Sequence, residues 1–216
     1  HSNPSDAKKQ LGKLQREFPQ NSSMEEKTSS PPQDEITALV NLYRSGQMAK
    51  AEQACRELLN TYPQTLVAMN VLGAALRGQG KLQEAVQAYD KAIQLNPDYA
   101  EAHYNLGNTL QELGRSKDAE ASYRKAIALK PDYVEAYSNL GNTLQELGRS
   151  KDAGASYRKA IALKPDFAEA HYNLGVTLQE LGRSKDAEAS YRQAIALKAD
   201  YAEAYSNLGV TLQELG

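Results

Sequence analysis

Residues 137–150, YSNLGNTLQELGRS, decide the fold, because close copies of this stretch return at a constant distance along the chain. Copies lie at residues 104–116, 172–184 and 205–216, and each contains an asparagine directly before a Leu-Gly pair. Neighbouring asparagines of this series are 34 residues apart: Asn105, Asn139, Asn173 and Asn207. A constant period of this length is typical of a chain that stacks repeated structural units.

The same period governs the turn residues, and the apolar residues between the turns have helical spacing. Pro97, Pro131 and Pro165 each precede an aspartate and an aromatic residue, and a glycine series recurs at positions 46, 80, 114, 148, 182 and 216. Within one unit, two apolar stripes follow the three- and four-residue spacing of a helix face: Ala102, Leu106, Leu110 and Leu113, then Ala119, Tyr123, Ala126, Ile127 and Leu129. Each unit is therefore predicted to be a helix, a tight turn and a second helix.

Two further patterns predict how the helices begin. Residues 98–101 place an aspartate three positions before a glutamate, which is the spacing of a capping box. Ser116 is predicted to cap the second helix. Ser116, Ser150 and Ser184 stand where the earlier units have the bulkier Met48 and Leu82, so we expect looser turn packing in the later units.

The pattern His103-x-x-Leu106-Gly107-x-x-Leu110, followed by Ala119-x-x-x-Tyr123, Ala126 and Pro131, resembles the tetratricopeptide repeat (TPR). The resemblance covers residues 32–216, as repeats 32–65, 66–99, 100–133, 134–167 and 168–201 and a half repeat at 202–216. It implies an all-α, right-handed superhelical solenoid whose first helices line a concave wall. The repeats are most similar to those in the superhelical arm of O-linked N-acetylglucosamine transferases.

Small residues in the repeats predict close helix contacts and one weak position. Gly107 and Ala119 are small where two helices have to approach closely. Gly154 stands inside a second helix at the place of Glu120 and Glu188. A glycine in a helix interior costs ~1 kcal/mol, so the fourth repeat is predicted to be the least stable.

One face of each first helix carries polar residues, and the resemblance implies that this face looks into the groove. Glu101, Asn105, Asn108 and Glu112 are spaced four, three and four residues apart and share it. An amide offers both a donor and an acceptor, so a row of amides is predicted to hold an extended peptide through its backbone. The candidate peptide-binding residues are Asn105, Asn139, Asn173, Asn207, Asn108, Asn142, Tyr104, Tyr172, Gln111 and Gln145.

The row of amides is short, and it has an alternative role. Thr37 and Val71 interrupt it upstream, and Val176 and Val210 replace the second amide downstream. In the alternative, the asparagines bond a neighbouring helix and stabilise the stack. Peptide binding predicts that alanine substitution of Asn105, Asn139 and Asn173 abolishes ligand capture and leaves thermal stability nearly unchanged, whereas the stacking role predicts a large fall in melting temperature.

Composition excludes several classes of partner. The net charge is −2 and no long block of one sign occurs, so neither nucleic acid nor a membrane surface is an expected partner. No apolar stretch is long enough to span a bilayer, and the N-terminus lacks an apolar signal-peptide core, so a cytoplasmic location is predicted. Cys55 is the single cysteine, which excludes an internal disulfide, and it is predicted to be a small core residue.

No residue pattern indicates catalysis. Besides His1, the histidines are His103 and His171, which align with Tyr137 and Tyr205 and are predicted to pack rather than to react. No His, Cys and Glu cluster has metal-ligand spacing, and the glycines form no phosphate-binding loop. We therefore expect a non-enzymatic chain with no metal and no cofactor.

The N-terminal arm, residues 1–31, does not repeat. Its second half is polar and bounded by prolines, as in a linker. Leu11, Leu14 and Phe18 have the spacing of a short amphipathic helix that could dock on a groove or a neighbour, and the alternative is a disordered tail.

These features predict a scaffold that binds a peptide or a partner protein in its concave groove. The first alternative is a targeting arm of a larger enzyme of the glycosyl- or sulfotransferase type. The second is a self-assembling module, a homo-oligomer formed through the solenoid ends, since Leu208, Leu212 and Leu215 repeat the internal apolar pattern in the last helix instead of a polar cap.

Overall fold

The computed structural model describes residues 30–216, and this range contains eleven α-helices and no strand. The helices are α1 (Gln33–Arg44), α2 (Met48–Thr61), α3 (Leu66–Gly78), α4 (Leu82–Leu95), α5 (Ala100–Glu112), α6 (Ser116–Leu129), α7 (Val134–Glu146), α8 (Ser150–Leu163), α9 (Ala168–Glu180), α10 (Ser184–Leu197) and α11 (Ala202–Leu215). The predicted all-α helical-repeat solenoid is confirmed. The predicted arm helix around Leu11, Leu14 and Phe18 lies outside the described residues.

The helices stack in chain order, each against the next, and form two layers. The odd-numbered helices are the first helices of successive repeats, and the even-numbered helices are the second helices. Each first helix also contacts the first helix of the following repeat, whereas no second helix in the described range contacts another second helix. The first helices therefore lie on the inner side of the curved stack.

A tyrosine packed on a glycine holds each helix pair together. Tyr123 is fully buried, and a Cβ atom added to Gly107 would lie 2.7 Å from its ring. The same pairing occurs in neighbouring repeats as Gly73 with Tyr89, Gly141 with Tyr157 and Gly175 with Tyr191. Ala119 is also fully buried. The predicted close approach at the small residues is therefore confirmed, and an aromatic ring occupies the space.

Glycine also closes the turn inside each repeat. Gly114 has a φ of +72°, in the left-handed region that costs glycine little. The Gly114 N–H donates to Gln111 O at 2.9 Å, and the Arg115 N–H donates to Leu110 O at 2.8 Å. This pattern is a Schellman motif, and it turns the chain back for the second helix.

The predicted helix caps are wrong. The residue before α5 is Tyr99, which makes no side-chain cap hydrogen bond, so Asp98 and Glu101 lie one position out of step with a capping box. Ser116 is the first helical residue of α6 and not its cap. Its Oγ donates instead to Glu146 Oε2 of the next repeat at 3.0 Å, so this serine contributes a bond between repeats. The looser turn packing expected at the serine positions stays a prediction.

Two predicted packing residues are confirmed. Cys55 is fully buried, and burial raises the pKa of its thiol to about 12. His103 is buried as well, and its Nε2 lies 2.9 Å from Pro97 O, so the imidazole ties the first helix to the preceding loop.

Candidate functional site

The ten candidate peptide-binding residues lie on the first helices α5, α7, α9 and α11, and all of them are half-buried. A cleft of about 270 Å³ between α3, α5 and α7 brings four of them together: Tyr104, Asn108, Gln111 and Asn139. Arg77 and Glu112 complete its lining. Because this cleft lies among first helices, it belongs to the inner face of the stack.

The asparagines that directly precede each Leu-Gly pair, here called the opening asparagines, are Asn105, Asn139, Asn173 and Asn207. Each donates an amide hydrogen to the first helix of the preceding repeat. Asn139 Nδ2 donates to Asn108 Oδ1 at 2.8 Å, and Asn173 Nδ2 donates to Asn142 Oδ1 at 3.1 Å. The other two donate to Asn70 Oδ1 and to the Tyr172 hydroxyl, from Asn105 and Asn207 respectively. The bonds to a neighbouring helix that the alternative role requires are therefore present.

These bonds leave unused donors on the second amides of the third and fourth repeats, which are Asn108 and Asn142. Asn108 Oδ1 accepts from Asn139 and also from the buried Tyr123 hydroxyl at 2.7 Å. Two donors on this oxygen fix the orientation of the amide, so its NH2 group is directed away from them. Asn142 Oδ1 likewise lies 2.7 Å from the Tyr157 hydroxyl, whose single proton is shared with Gln145 Oε1 at 2.6 Å, and the bond from Asn173 at 3.1 Å gives this oxygen the same orientation. Within residues 30–216, neither NH2 group has an acceptor.

The opening asparagines have unused acceptors instead of unused donors. Asn139 Nδ2 donates to Asn108 Oδ1 and to the Tyr104 hydroxyl, but no residue from 30 to 216 donates to its Oδ1. The Oδ1 atoms of Asn105 and Asn173 likewise accept no hydrogen bond within this range. The inner face thus carries donors on Asn108 and Asn142 and acceptors on the opening asparagines, which are the two kinds of group that an extended peptide backbone needs.

The candidate tyrosines are held by aromatic packing. The ring of Tyr104 lies 4.7 Å from that of Tyr133, centroid to centroid, and its hydroxyl accepts from Asn139 Nδ2 at 3.3 Å. Tyr172 packs in the same way on Tyr201 at 4.9 Å. Both side chains therefore have fixed positions beside the amides.

The candidate glutamines link consecutive repeats. Gln111 Nε2 donates to Glu146 Oε1 at 3.1 Å, and Gln145 contacts Glu180 in the same manner. Arg77 takes the corresponding position in the second repeat and binds Glu112 at 2.8 Å. Sequence reasoning placed Glu112 on this face but missed Arg77, although its 34-residue offset from Gln111 was a signal that could have found it.

The core tyrosines are protonated near neutral pH and act as donors, and burial moves their pKa further from neutrality. Burial raises the pKa of Tyr123 above its usual range and the pKa of Tyr191 to about 12. Tyr89 is the exception in hydrogen bonding, because Ala74 and Arg77 stand in its repeat where Asn108 and Gln111 accept from Tyr123. The Tyr89 hydroxyl has no hydrogen-bond partner in the described part of the chain.

The three leucines of the predicted self-association end differ in solvent exposure. Leu208 is half-buried and packs against the core, whereas Leu212 and Leu215 are exposed by 41% and 37%. Association through these residues stays a prediction.

Residues 30–216 contain no group of three or more His, Cys, Asp or Glu side chains that could hold a metal ion. None of the helices in that range is both long and apolar enough to cross a bilayer.

The stacked helix pairs define the chain as a helical-repeat solenoid. A family model described as TPR repeat matches residues 73–114, 146–182 and 180–216, more than half of the chain. Models described as tetratricopeptide repeat match residues 100–133 and 122–155. The chain belongs to the tetratricopeptide-repeat family, whose arrays are typically non-catalytic modules for protein interaction.

Solved structures show the same architecture. MamA is 25% identical, with a TM-score of 0.69 over 76% of this chain and 95% of that one. YrrB, described as a TPR protein with an unusual peptide-binding site, is 20% identical, with a TM-score of 0.68 over 91% of this chain and 96% of that one. A thermophilic TPR protein of Thermus thermophilus is 21% identical, with a TM-score of 0.63 over 84% and 98%. No match was found among curated proteins.

Proposed function

We propose that this array is an interaction scaffold whose inner face binds an extended segment of a partner protein through its peptide backbone. The observation that carries the proposal is the orientation of Asn108, whose oxygen is used by the fold while its NH2 group has no acceptor within residues 30–216. Asn142 repeats it one unit later. The resemblance of the asparagine row to the arm of O-linked N-acetylglucosamine transferases supports the same use of this face.

Alanine substitution of the opening asparagines does not separate the two roles. Asn105, Asn139 and Asn173 each make a bond between repeats, and each lost bond costs about 0.5–1.5 kcal/mol. The triple alanine variant is therefore expected to lose stability as well as any ligand. A substitution that removes only the outward donors is the better test.

The substitution Asn108→Asp with Asn142→Asp meets this requirement. An aspartate keeps an oxygen for Tyr123 or Tyr157 and for the next asparagine, but it replaces the outward NH2 group by an acceptor. Peptides selected from a random library on the unmodified array serve as the probe, and fluorescence anisotropy measures their affinity. Loss of two backbone hydrogen bonds predicts a fall in affinity of roughly tenfold or more.

The matched control adds the same charge to the same two repeats outside the inner face. Ala121→Asp with Ala155→Asp changes exposed residues of the second helices α6 and α8. We expect this control to bind like the unmodified array and both variants to keep its melting temperature. Equal binding by the two variants would contradict the proposal.

A further inference from the structure

One position of the second helices is occupied differently at each junction between repeats. It holds Glu52 in the first repeat, Val86 in the second, Glu120 in the third, Gly154 in the fourth and Glu188 in the fifth. Where this position is Glu52 or Glu120, its carboxylate pairs with basic residues of its own and the next repeat. Where it is glycine, that carboxylate is absent.

In the third repeat the carboxylate is clamped by two arginines. Glu120 Oε1 accepts from Arg124 Nε at 3.0 Å and from Arg149 Nη1 of the next repeat at 2.7 Å. The glutamate side chain is only 16% exposed. Glu52 occupies the same place in the first repeat, between Arg56 at 2.9 Å and Lys81 at 2.7 Å. Two basic groups and one sheltered carboxylate thus form a recurring unit.

The junction between the fourth and fifth repeats keeps both arginines and lacks the carboxylate. Arg158 and Arg183 correspond to Arg124 and Arg149. Together with Lys151, Gly154 and Thr177 they line a cleft of about 280 Å³. Arg158 has no ion pair within residues 30–216, and Arg183, the residue directly before α10, pairs there only with Asp186 in the first turn of that helix.

The second repeat shows that a missing glutamate does not by itself create such a cleft. There Val86 takes the glutamate position and Asp90 replaces the first arginine. That junction therefore combines an apolar side chain with an acid and has no arginine pair. Among the junctions that the structure describes, the one at Gly154 alone combines two arginines with no acid at either position.

We infer that the cleft at Gly154 binds the carboxylate of a glutamate or aspartate side chain of a partner protein. The same two kinds of arginine already hold a carboxylate one repeat earlier, and charge-assisted bonds from arginine to carboxylate are among the stronger hydrogen bonds of proteins. The wall formed by Thr177 and Leu178, both buried, shields one side of the cleft from water. The amide face, meaning the inner-face row of the opening asparagines with Asn108 and Asn142, contributes no residue to the lining of this cleft. This site is therefore independent of the proposed peptide groove.

The site is tested by titrating the full chain with the blocked tripeptide Ala-Glu-Ala and following the arginine Nε–Hε signals by NMR. We expect saturable shifts confined to Arg158 and Arg183, and no shifts with the blocked tripeptide Ala-Gln-Ala. Gly154→Glu supplies an internal carboxylate and is expected to abolish the shifts. Gly154→Ala is the matched variant and is expected to retain them, because its Cβ would meet Thr177 Cγ2 at an ordinary 3.5 Å.

Three results would overturn the inference. The first is shifts spread equally over all arginines, and the second is shifts that persist in Gly154→Glu. The third is tighter binding of inorganic phosphate, measured in a parallel titration, than of the glutamate tripeptide. We expect phosphate to bind more weakly, and tighter binding would refute the carboxylate assignment. Because the amide face is untouched in both variants, peptide binding there gives a separate readout.

Discussion

At the scale of single residues, Gly107 and Gly154 show one residue type in two opposite situations. Both are buried inside a helix. The backbone of Gly107 supports the ring of Tyr123, so an added methyl group would lie 2.7 Å from that ring. An added methyl group on Gly154 would make only ordinary contacts, the nearest at 3.5 Å. The first glycine is required by packing, whereas the second is a local weakness.

The same substitution should therefore have opposite effects at the two positions. Gly107→Ala is expected to destabilise the protein, because overpacking costs about 1–3 kcal/mol and exceeds the gain in helix propensity. Gly154→Ala is expected to stabilise it by about 0.5–1 kcal/mol through that gain. Urea denaturation measures both free energies of unfolding. A change of the same sign in both variants would refute this account of the packing.

The unpartnered hydroxyl of Tyr89 gives a second residue-level prediction. Ala74→Asn places an amide where Asn108 and Asn142 serve the next two tyrosines, so it is expected to stabilise the protein by about 1 kcal/mol. Val176→Asn is the matched control, because Tyr191 already donates to Gln179 Oε1 at 3.0 Å. Thermal or urea denaturation should show the larger gain for Ala74→Asn, and equal gains would argue against the role given to the hydroxyl.

At the scale of helices and turns, the bonds between repeats follow a regular scheme. In the later repeats a glutamate such as Glu146 accepts from a glutamine and from a serine of the preceding repeat. In the second repeat Leu82 replaces the serine and Arg77 replaces the glutamine. Sequence differences between repeats thus change which groups bridge a junction without changing how the helices stack.

The junction at Glu52 predicts a pH dependence of stability. The Lys81 ammonium hydrogen bond is the largest cause that lowers the pKa of Glu52, from 4.5 to about 2. A carboxyl with a lowered pKa in the folded state stabilises that state above its unfolded pKa, and this contribution is lost as the pH falls from about 4.5 to about 2. We expect Glu52→Gln to be less stable than the unmodified chain near neutral pH, by less than about 1 kcal/mol because its partners are half-exposed.

The difference between the two proteins should vanish near the lower end of that pH range. Urea denaturation at several pH values measures it. Glu57→Gln, at an exposed position of the same helix, is the control for loss of a charge. A difference that persists unchanged at low pH would contradict the assignment to Glu52.

The elements were more predictable than their junctions. The 34-residue period and the apolar stripes are local patterns, and they predicted the helices, the glycine turns and the packing at Gly107. The caps were mispredicted because a shift of one residue places Tyr99, not Asp98, before the helix. The orientation of Asn108 depends on Asn139, 31 residues away, and on Tyr123 of the other helix. A single sequence does not determine such bonds before the stack is known.

At the scale of the whole molecule, contacts join only neighbouring repeats, as expected for a quasi-one-dimensional stack. Each junction can therefore differ without disturbing distant ones. The cleft at Gly154 and the amide face illustrate this, because one lies at a single junction and the other runs along several first helices. The two proposed sites also use different physical interactions, charge in the cleft and neutral hydrogen bonds on the inner face.

Salt should separate the two sites. Raising the ionic strength from about 0.1 M to about 1 M shortens the screening length from about 10 Å to about 3 Å. The glutamate tripeptide is therefore expected to bind the cleft more weakly at high salt. Peptides on the amide face should change little in affinity, since their main partners are neutral and the net charge of the chain is only −2. Strong salt sensitivity at the amide face would contradict recognition by amides.

The second amides occur in two consecutive repeats only, as Asn108 and Asn142, with Ala74 before them and Val176 and Val210 after them. For the proposed peptide this is a matter of alignment along the stack. A segment that slid by one repeat in either direction would lose a donor at one of its two anchoring points. Although the repeats are nearly identical, a bound segment thereby has one preferred binding register. In that register it lies opposite the third and fourth repeats.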